Sequence, residues 1–416
     1  MPATLAGMAF HAPRGVVPDE AARDASGSER EQTGQRGHAG QRGPARIRRS
    51  PAPGARGARI TTLADRLLPL WFLAWSAVRI QQLGWDVNRW DTSFLGRDFR
   101  IYRNGALALL NGGDPWSAFD TWNGTDWHFA ALPTAAQLFV PFALIPEGVG
   151  MALFMALSTA VAWLAFRRLG LPAWWLLFPP LMEGLVAANP QILLFGLLVV
   201  GGPLARAGAT ALKVYAIVPV LARREWRAVA VTAAVFAASI TIGWTAWSTY
   251  LAEFGAIAAR VASESQGGVS ATLLLDPKIF GAALPSEGVA RFVPGLLLYG
   301  LVAFLVLGAA LRDVRAAGWL AVPLLWPAAE YHLATLAIPA GRRVSVWIIA
   351  IATPPTYLLG LILLAYEIAA GRRAMVNEPA PVGLVSWLRT LRPARPVPAA
   401  ARQPALSAGS PPTSAS

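Results

Sequence analysis

Long apolar stretches separated by short polar turns run from about residue 67 to residue 370. Many are long enough, or nearly long enough, to cross a bilayer as a helix, which takes about 20 apolar residues. The pattern predicts a first span at about 67–83. Further candidate spans follow at roughly 134–146, 149–167, 172–187, 191–205, 209–222, 228–246, 292–311, 316–330, 332–341 and 344–369. The chain is therefore predicted to be an all-α polytopic membrane protein with about 10–11 transmembrane helices.

Two longer polar stretches, at about 84–133 and 247–290, interrupt this pattern. Arginines precede the first span and cluster at 223–227, and cytoplasmic ends of membrane helices are the ones that carry such excess. Both polar stretches are then outer loops. The last apolar stretch reads either as one span or as two half-helices broken at Pro354 and Pro355, since proline ends or kinks helices.

Within the first outer loop, the spacing of apolar residues predicts a short amphipathic helix over 97–110. Its apolar stripe holds Phe99, Tyr102, Ala106 and Leu109, and we expect it to lie in the membrane interface. A Gly-Gly-Asp-Pro turn at 112–115 ends the helix.

Composition supports the membrane class. The chain is 55% hydrophobic and 14% charged, and its mean hydropathy is +0.45, whereas soluble domains carry about 25% charged residues. Cysteine is absent, which excludes disulfides, thiolate metal sites and a cysteine nucleophile.

The net charge of +13 lies mostly in two terminal tails. Residues 1–59 and 372–416 are rich in Arg, Ala, Gly and Pro without apolar periodicity, so both are predicted to be disordered tails. The transmembrane domain then covers 60–371. Basic tails beside membrane spans indicate contact with anionic membrane lipids rather than nucleic acid.

Asp98 opens the predicted amphipathic helix, where the helix dipole favours a carboxylate. It is a candidate general base that would accept a proton from an acceptor hydroxyl; the alternative is a helix-capping acid or an ion pair with a neighbouring arginine. Arg97, Arg100 and Arg103 are candidate donors to phosphate or lipid headgroups.

His332 and Glu330 stand at the end of an apolar stretch. Ionisable residues in membrane segments are costly and usually face a cavity, so they are a candidate functional pair, and a structural pair between helices is the alternative. His128 in the outer loop is a weaker candidate for substrate contact.

Asn189 and Gln191 lie between two apolar runs and are candidate substrate ligands. Lys213, early in another apolar run, either extends to the interface or holds a phosphate. Lys278 in the second outer loop is a possible phosphate contact or an ordinary solvated charge.

Known cofactor and nucleotide motifs are missing. The sequence has no Gly-rich nucleotide loop, no His-Glu-x-x-His, no Gly-x-Ser-x-Gly and no Asp-x-Asp of the kind that grips a nucleotide-sugar metal. We therefore expect no cofactor and no metal, and a sugar donor, if there is one, that is carried by lipid.

At these positions the chain resembles glycosyltransferase family 87, bacterial membrane mannosyltransferases of the GT-C class that use polyprenyl-phosphate-mannose. Four stretches in the family's order carry the resemblance: Asp98 to Pro115, with Trp116 where the family has Tyr; Leu132 to Pro146; Asn189 to Gln191 with Lys213 and Arg223 to Arg227 beyond it; and Trp326 to His332.

The resemblance implies a GT-C fold in the cell membrane, with an active site open to the outer face. A polyprenyl-phosphate-sugar donor would meet a glycolipid or lipoglycan acceptor, and Asp98 would deprotonate the acceptor hydroxyl for an inverting attack. The donor phosphate would lie among Arg or Lys groups and His332. Tyr102 and the outer-loop tryptophans, Trp116 among them, would contact the sugars.

Two other functions fit the same composition. One is a flippase or exporter of lipid-linked sugars, which would need a polar path across the whole membrane. The other is a catalytically degenerate scaffold.

Overall fold

The computed structural model describes residues 55–83, 93–122, 124–264, 270–275, 292–326 and 330–376, and these are largely helical. The α-helices are α1 Ala55–Gln82, α2 Arg97–Leu110, α3 Pro133–Ala143, α4 Glu147–Leu169, α5 Pro179–Val186, α6 Pro190–Val200, α7 Pro203–Leu212, α8 Ile217–Ala222, α9 Trp226–Ile242, α10 Trp244–Glu264, α11 Val293–Arg312, α12 Val314–Leu325, α13 Arg343–Ile349 and α14 Pro354–Ala369. The 3₁₀ helices are Pro115–Ser117, Ala173–Leu177, Val214–Ala216, Ala271–Leu275 and Tyr331–Ala340, and the strands are β1 Phe119–Trp122 and β2 Thr125–His128.

The helices include clear membrane-spanning candidates. Among the described residues, α4 and α11 are long and apolar enough to cross a bilayer, and α9 with α10 would make a third span bent by 100°. Helix α11 exposes Leu297, Phe304 and Leu311, an apolar face that suits lipid contact rather than water. The predicted all-α membrane class is confirmed, but the count of ten or eleven spans is not.

Several predicted spans are shorter or broken. The stretch 209–222 divides at Lys213, which is extended between α7 and the following 3₁₀ helix. The stretch 332–341 is the 3₁₀ helix Tyr331–Ala340, and all ten of its residues are buried, so protein rather than lipid surrounds it. The two-half-helix interpretation of 344–369 is confirmed by α13 and α14.

The second predicted outer loop is partly wrong as well. Helix α10 continues to Glu264, so residues 247–264 of this stretch are helical rather than loop. The preceding span is predicted to end at residue 246, but α10 extends beyond it. Its apolar residues Trp247, Tyr250 and Ile257 pack against the protein and stabilise this helix.

Helix α2 has the predicted bounds, and its stop is the predicted turn, with Gly112 in the left-handed region at φ +71°. The expected placement of its apolar stripe in the membrane interface is wrong. Phe99 and Ala106 are fully buried, and Tyr102 packs on Phe139 of α3 with ring centroids 4.9 Å apart. Aromatic packing against α3 therefore buries this stripe inside the protein.

A small antiparallel hairpin, β1–β2, follows α2 and pairs Phe119 with His128 and Trp122 with Thr125. The sequence predicts only loop here, because four-residue strands carry little periodicity. The hairpin brings Trp122, Trp127 and His128 over the N-terminal half of α2.

The boundaries of the predicted tails overlap the helical domain. Helix α1 begins at Ala55, within the predicted tail 1–59. At the other end Val376 is buried, and the Met375 amide donates to the Gly341 carbonyl at 3.0 Å. The rest of both tails lies outside the described residues, so their disorder stays a prediction.

The buried apolar residues form two large clusters. One packs α2, α3, α10, the hairpin and the N-terminal part of α4 around Phe99, Phe139 and Phe154. The other packs the C-terminal part of α4 with most of the other helices around residues such as Phe195 and Trp319. The candidate site lies where these two clusters meet.

Candidate active site

The start of α2 is fixed on the turn between α5 and α6. The Gly96 amide donates to the Val186 carbonyl at 2.9 Å, and the Asp98 amide donates to the Ala187 carbonyl at 3.0 Å. Gly96 has φ +71°, which glycine adopts without a steric penalty. These bonds place the Asp98 carboxylate directly beside the N-terminus of α6.

Asn189 connects Asp98 to two other groups. Its Oδ1 accepts from the Gln191 amide at 2.8 Å, which caps α6, and from Lys213 Nζ at 3.3 Å. With Oδ1 occupied by donors, Nδ2 donates to Asp98 Oδ2 at 2.5 Å. One amide side chain therefore orients the carboxylate and holds the ammonium group near it.

Arg97 supplies the second contact to the carboxylate. Its Nε donates to Asp98 Oδ1 at 2.8 Å. Its guanidinium lies 5.0, 5.3 and 4.6 Å from the ring centroids of Phe94, Trp122 and Trp127. These cation–π contacts make the hairpin part of the site, because two of the three rings belong to it.

His332 lies between two carboxylates. Its Nδ1 is 3.3 Å from Glu330 Oε2 and 3.7 Å from Glu183 Oε1. The other oxygen of Glu183 accepts from Arg79 Nε at 2.6 Å. This chain of charges runs from α1 through α5 to the start of the 3₁₀ helix Tyr331–Ala340.

These groups line a half-open cavity of about 270 Å³. Its polar wall is formed by side chains that the sequence predicts for the site: Arg97, Asp98, Tyr102, His128, Asn189, Lys213, Glu330 and His332. Aromatic side chains form much of the rest: Trp127, Tyr215, Tyr250 and Trp326. The predicted site residues thus come from five separate parts of the chain and converge on one pocket.

Asp98 remains ionised although it is buried. Burial acts to raise the pKa of its carboxyl, but the charges of Arg97 and His332 and the hydrogen bonds from Arg97 and Asn189 outweigh burial, so the pKa lies below the ordinary value of 3.8. The pocket therefore contains a carboxylate that can accept a proton at neutral pH.

Two predicted phosphate ligands do not reach the pocket. Arg100 pairs with Asp120 at 3.0 Å and also donates to the carbonyls of Leu95 and Ser93. Arg103 lies 3.7 Å from Glu147. Arg100 lies about one helical turn and Arg103 nearly two turns beyond Arg97, so both guanidinium groups lie farther from the end of α2 that faces the pocket.

Trp116 and Gln191 lie behind the pocket wall. Trp116 is 1% exposed, and its Nε1 donates to the carbonyl of Ala131, a pocket residue. Gln191 is fully buried, and its Oε1 accepts from the Tyr215 hydroxyl at 2.5 Å. Both support residues that line the cavity rather than lining it themselves. Lys278 lies outside the described residues.

Glu183 and Arg79 belong to the site without having been predicted for it. Glu183 is an acidic residue in an apolar stretch, and such residues often mark a functional site. In the structure only 5% of Glu183 is exposed. Nothing in the sequence around Arg79 distinguishes it from an arginine at the end of a membrane span.

A metal ion is geometrically possible at one corner of the pocket. The ligand atoms of Glu183, Glu330 and His332 lie within 4.8 Å of one another. The donor set of two carboxylates and one imidazole suits zinc or a similar divalent ion. Arg79 and Arg97 already neutralise these carboxylates, and the expectation of a metal-free site stays a prediction.

The apolar helices and the half-open polar pocket define an all-α membrane protein with the features of an enzyme. The family model of glycosyltransferase family 87 matches residues 132–339, half of the chain. The chain belongs to glycosyltransferase family 87 and is a membrane glycosyltransferase. No curated protein and no solved structure matches it. Asn189, Lys213 and His332 lie in the matched segment, whereas Asp98 precedes it.

Proposed function

We propose that this glycosyltransferase moves a hexose, in the first instance mannose, from a polyprenyl-phosphate donor to a hydroxyl of a glycolipid or lipoglycan. The observation that carries this proposal is a single pocket in which an ionised carboxylate, an ammonium group and an imidazole meet. Base, phosphate-binding cation and aromatic surfaces are the three things that such a transfer needs.

Asp98 is the proposed general base. The acceptor O–H gives its proton to the Asp98 carboxylate while the oxygen attacks the anomeric carbon from the face opposite the phosphate. The bond between the anomeric carbon and the phosphate oxygen breaks, and its electron pair leaves with the phosphate. The sugar is transferred with inversion, and the lipid product is polyprenyl phosphate.

The leaving phosphate gains one negative charge in this step, from a diester to a monoester dianion. Lys213 and His332 line the pocket, and cations preorganised where charge develops stabilise the transition state more than the ground state. The phosphate is already a good leaving group, so the proposed reaction does not require a metal.

Aromatic rings offer surfaces for the sugars. Trp127, Tyr250 and Trp326 line the cavity, and the polarised C–H faces of hexoses stack on such rings. His128 lies at the same wall and could bond a sugar hydroxyl.

The distribution of charge supports an outward-facing pocket. The pocket lies at the N-terminus of α6, and Arg168, Arg206 and Arg223 lie at its C-terminus, where they contact the carbonyls of Leu198 and Val200. Eleven residues of helix span about 16 Å. An arginine cluster favours the cytoplasmic side, which leaves the pocket at the outer side.

The test is transfer from radiolabelled polyprenyl-phosphate-mannose to endogenous lipids in membranes containing the wild type or Asp98→Asn. We expect labelled product with the wild type alone, since a positioned base contributes roughly 10²- to 10⁴-fold. Near-normal turnover by Asp98→Asn would remove the base assignment.

If neither protein gives product although both are folded, other polyprenyl-linked sugars are tested next. Translocation of lipid-linked sugar by vesicles that contain no acceptor would instead favour a flippase. Failure of both assays would favour a scaffold.

A further inference from the structure

His332 is the pocket residue whose surroundings the proposed function leaves unexplained. It is 2% exposed, and its Nδ1 faces Glu183 and Glu330 at ion-pair distances of 3.7 and 3.3 Å. Glu330 lines the pocket and can meet substrate, but Glu183 does not line it. A buried carboxylate behind a pocket histidine costs desolvation energy, so its retention there calls for a role.

The backbone brings α5 unusually close to His332. A Cβ added at Gly184 would lie 3.3 Å from the His332 Cβ and 2.5 Å from Ile192 Cδ1. Only a residue without a side chain allows this approach. Glu183 is the neighbouring residue on α5, so the same approach places its carboxylate behind the imidazole.

Glu183 is itself held from its far side. Arg79 of α1 donates to Oε2 at 2.6 Å, and its guanidinium also lies 5.3 Å from the Tyr331 ring centroid. The Oε1 atom remains turned towards Nδ1. The carboxylate therefore has one oxygen bonded to a fixed cation and one that faces the imidazole at 3.7 Å.

The charges around His332 balance when its ring is neutral. Ion pairs and hydrogen bonds join His332 to a network of three carboxylates (Asp98, Glu183, Glu330) and three cations (Arg79, Arg97, Lys213). A protonated ring gives the group one positive charge. That charge complements the single negative charge of a phosphodiester.

We propose that Glu183 is a positioning residue for His332: its carboxylate keeps Nδ1 turned away from the substrate and stabilises the protonated ring, so that Nε2–H is presented to the donor phosphate. This inference rests on the proposed function, because it assigns the imidazole to a phosphate. Glu183 acts through His332 and does not touch substrate.

The test is a double-mutant cycle on the purified full-length protein, with the same labelled donor. Glu183→Gln keeps the side-chain volume and removes the charge. We expect kcat to fall roughly 10- to 100-fold, a part of the contribution of a positioned acid–base group. Glu253→Gln, at an exposed position of α10, is the matched control and should leave kcat unchanged.

The His332→Gln background separates positioning from a structural role. If Glu183 acts through His332, Glu183→Gln adds no further loss there. The same fold-loss in both backgrounds would overturn the inference while leaving the proposed function intact, and absence of transfer by the wild type would remove both. Should Glu183→Gln fail to fold, Glu183→Asp retains the charge but withdraws it by one methylene, and the same cycle applies with a smaller loss.

A readout independent of activity comes from ¹⁵N-histidine NMR of the protein in nanodiscs, with the His332 signals assigned from the spectrum of His332→Gln. The Nδ1 signal should be that of a protonated nitrogen, and this signal should change in Glu183→Gln. Unchanged His332 signals would overturn the inference even if no donor has been found.

Chelation distinguishes the proton from a metal ion at the same three ligands. Transfer should be unchanged by EDTA. Loss with EDTA and recovery with Mn²⁺ or Zn²⁺ would replace the positioning role of Glu183 with that of a metal ligand.

Discussion

The two ends of helix α6 both carry buried charged side chains, and the two groups differ in what faces them. At the N-terminus, Asn189 caps the helix and contacts Asp98 and Lys213. All three line an open cavity, so each side chain has a face left for a ligand.

At the C-terminus, arginines contact the helix itself. Arg206 and Arg223 both donate to the Leu198 carbonyl, and both pair with Glu225, at 2.5 and 3.1 Å. Carbonyls in the last turn of a helix have no partner within it, and cations are favoured there. These arginines complete the helix, and they are not among the residues that line the pocket.

Buried charge alone therefore does not mark a functional site in this protein. What distinguishes the N-terminal end is an open cavity beside groups that are oriented but not enclosed. Substitutions at the pocket end should reduce transfer and spare folding, and those at the arginine end should do the reverse.

The largest effect is expected for Asn189→Asp at the pocket end. Aspartate caps a helix as well as asparagine, so the fold should be retained. The new carboxylate would face Asp98, and two carboxylates in contact share a proton, which occupies the base. Transfer should fall at least about 100-fold in the radiolabel assay, and a near-normal rate would mean that Asp98 is not the base.

Arg206→Gln at the other end should leave Glu225 without its closest cation. Breaking one partner of a buried ion pair costs about 3–5 kcal/mol, so the unfolding midpoint in detergent should drop clearly. The rate per folded molecule should stay close to that of the wild type. A normal midpoint with lost activity would reverse the comparison between the two ends.

Lys213→Gln tests the pocket cation. A charge-assisted hydrogen bond is worth about 1.5–3 kcal/mol, so kcat/KM should fall roughly 10- to 100-fold. Lys213→Arg, which keeps the charge, should recover part of the loss. Equal losses in both variants would show that the shape of Lys213 matters more than its charge.

The pH dependence follows from the lowered pKa of Asp98. Its folded pKa lies below its unfolded value, so the ionised base and the stability it contributes are present above the ordinary carboxyl range. Both are lost only as pH falls through the folded pKa. Transfer should show no acid limb between about pH 7 and pH 5. Asn189→Ser, which removes one hydrogen bond to the carboxylate, should move the acid limb upward.

The smallest effects are expected for Arg100→Gln and Arg103→Gln. Both arginines pair with carboxylates outside the pocket, and partly exposed pairs contribute about 0–1 kcal/mol. Transfer should change less than about 3-fold. A loss as large as that of Lys213→Gln would return them to the phosphate site.

Helix α2 shows how far the sequence predicts local structure. Its bounds follow from apolar spacing and from the Gly-Gly turn, both properties of adjacent residues. The interface placement of its stripe is wrong, because the partner of the stripe, Phe139, lies far along the chain. A helical stripe indicates that something apolar covers it and does not indicate whether that is lipid or protein.

The site shows the same division. Asn189, Lys213 and His332 are recognisable because polar residues in apolar surroundings are rare, and Asp98 because it opens an amphipathic helix. Gln191 shares this character, and Trp116 is an outer-loop aromatic expected to contact the sugars, yet both support the wall from behind. Whether a side chain lines the cavity or lies behind its wall depends on how packing rotates the helix or loop that carries the side chain.

By itself the sequence determined the membrane class, the amphipathic helix and the short set of polar residues from which a site could be built, since these depend on composition and on nearest neighbours along the chain. The tertiary structure decided that Arg97 and not Arg103 reaches the pocket, that Glu183 stands behind His332, and that the arginines at the far end of α6 are capping groups. Each of these depends on contacts between segments distant in sequence, and the free energy of such contacts is not written in any one of the segments.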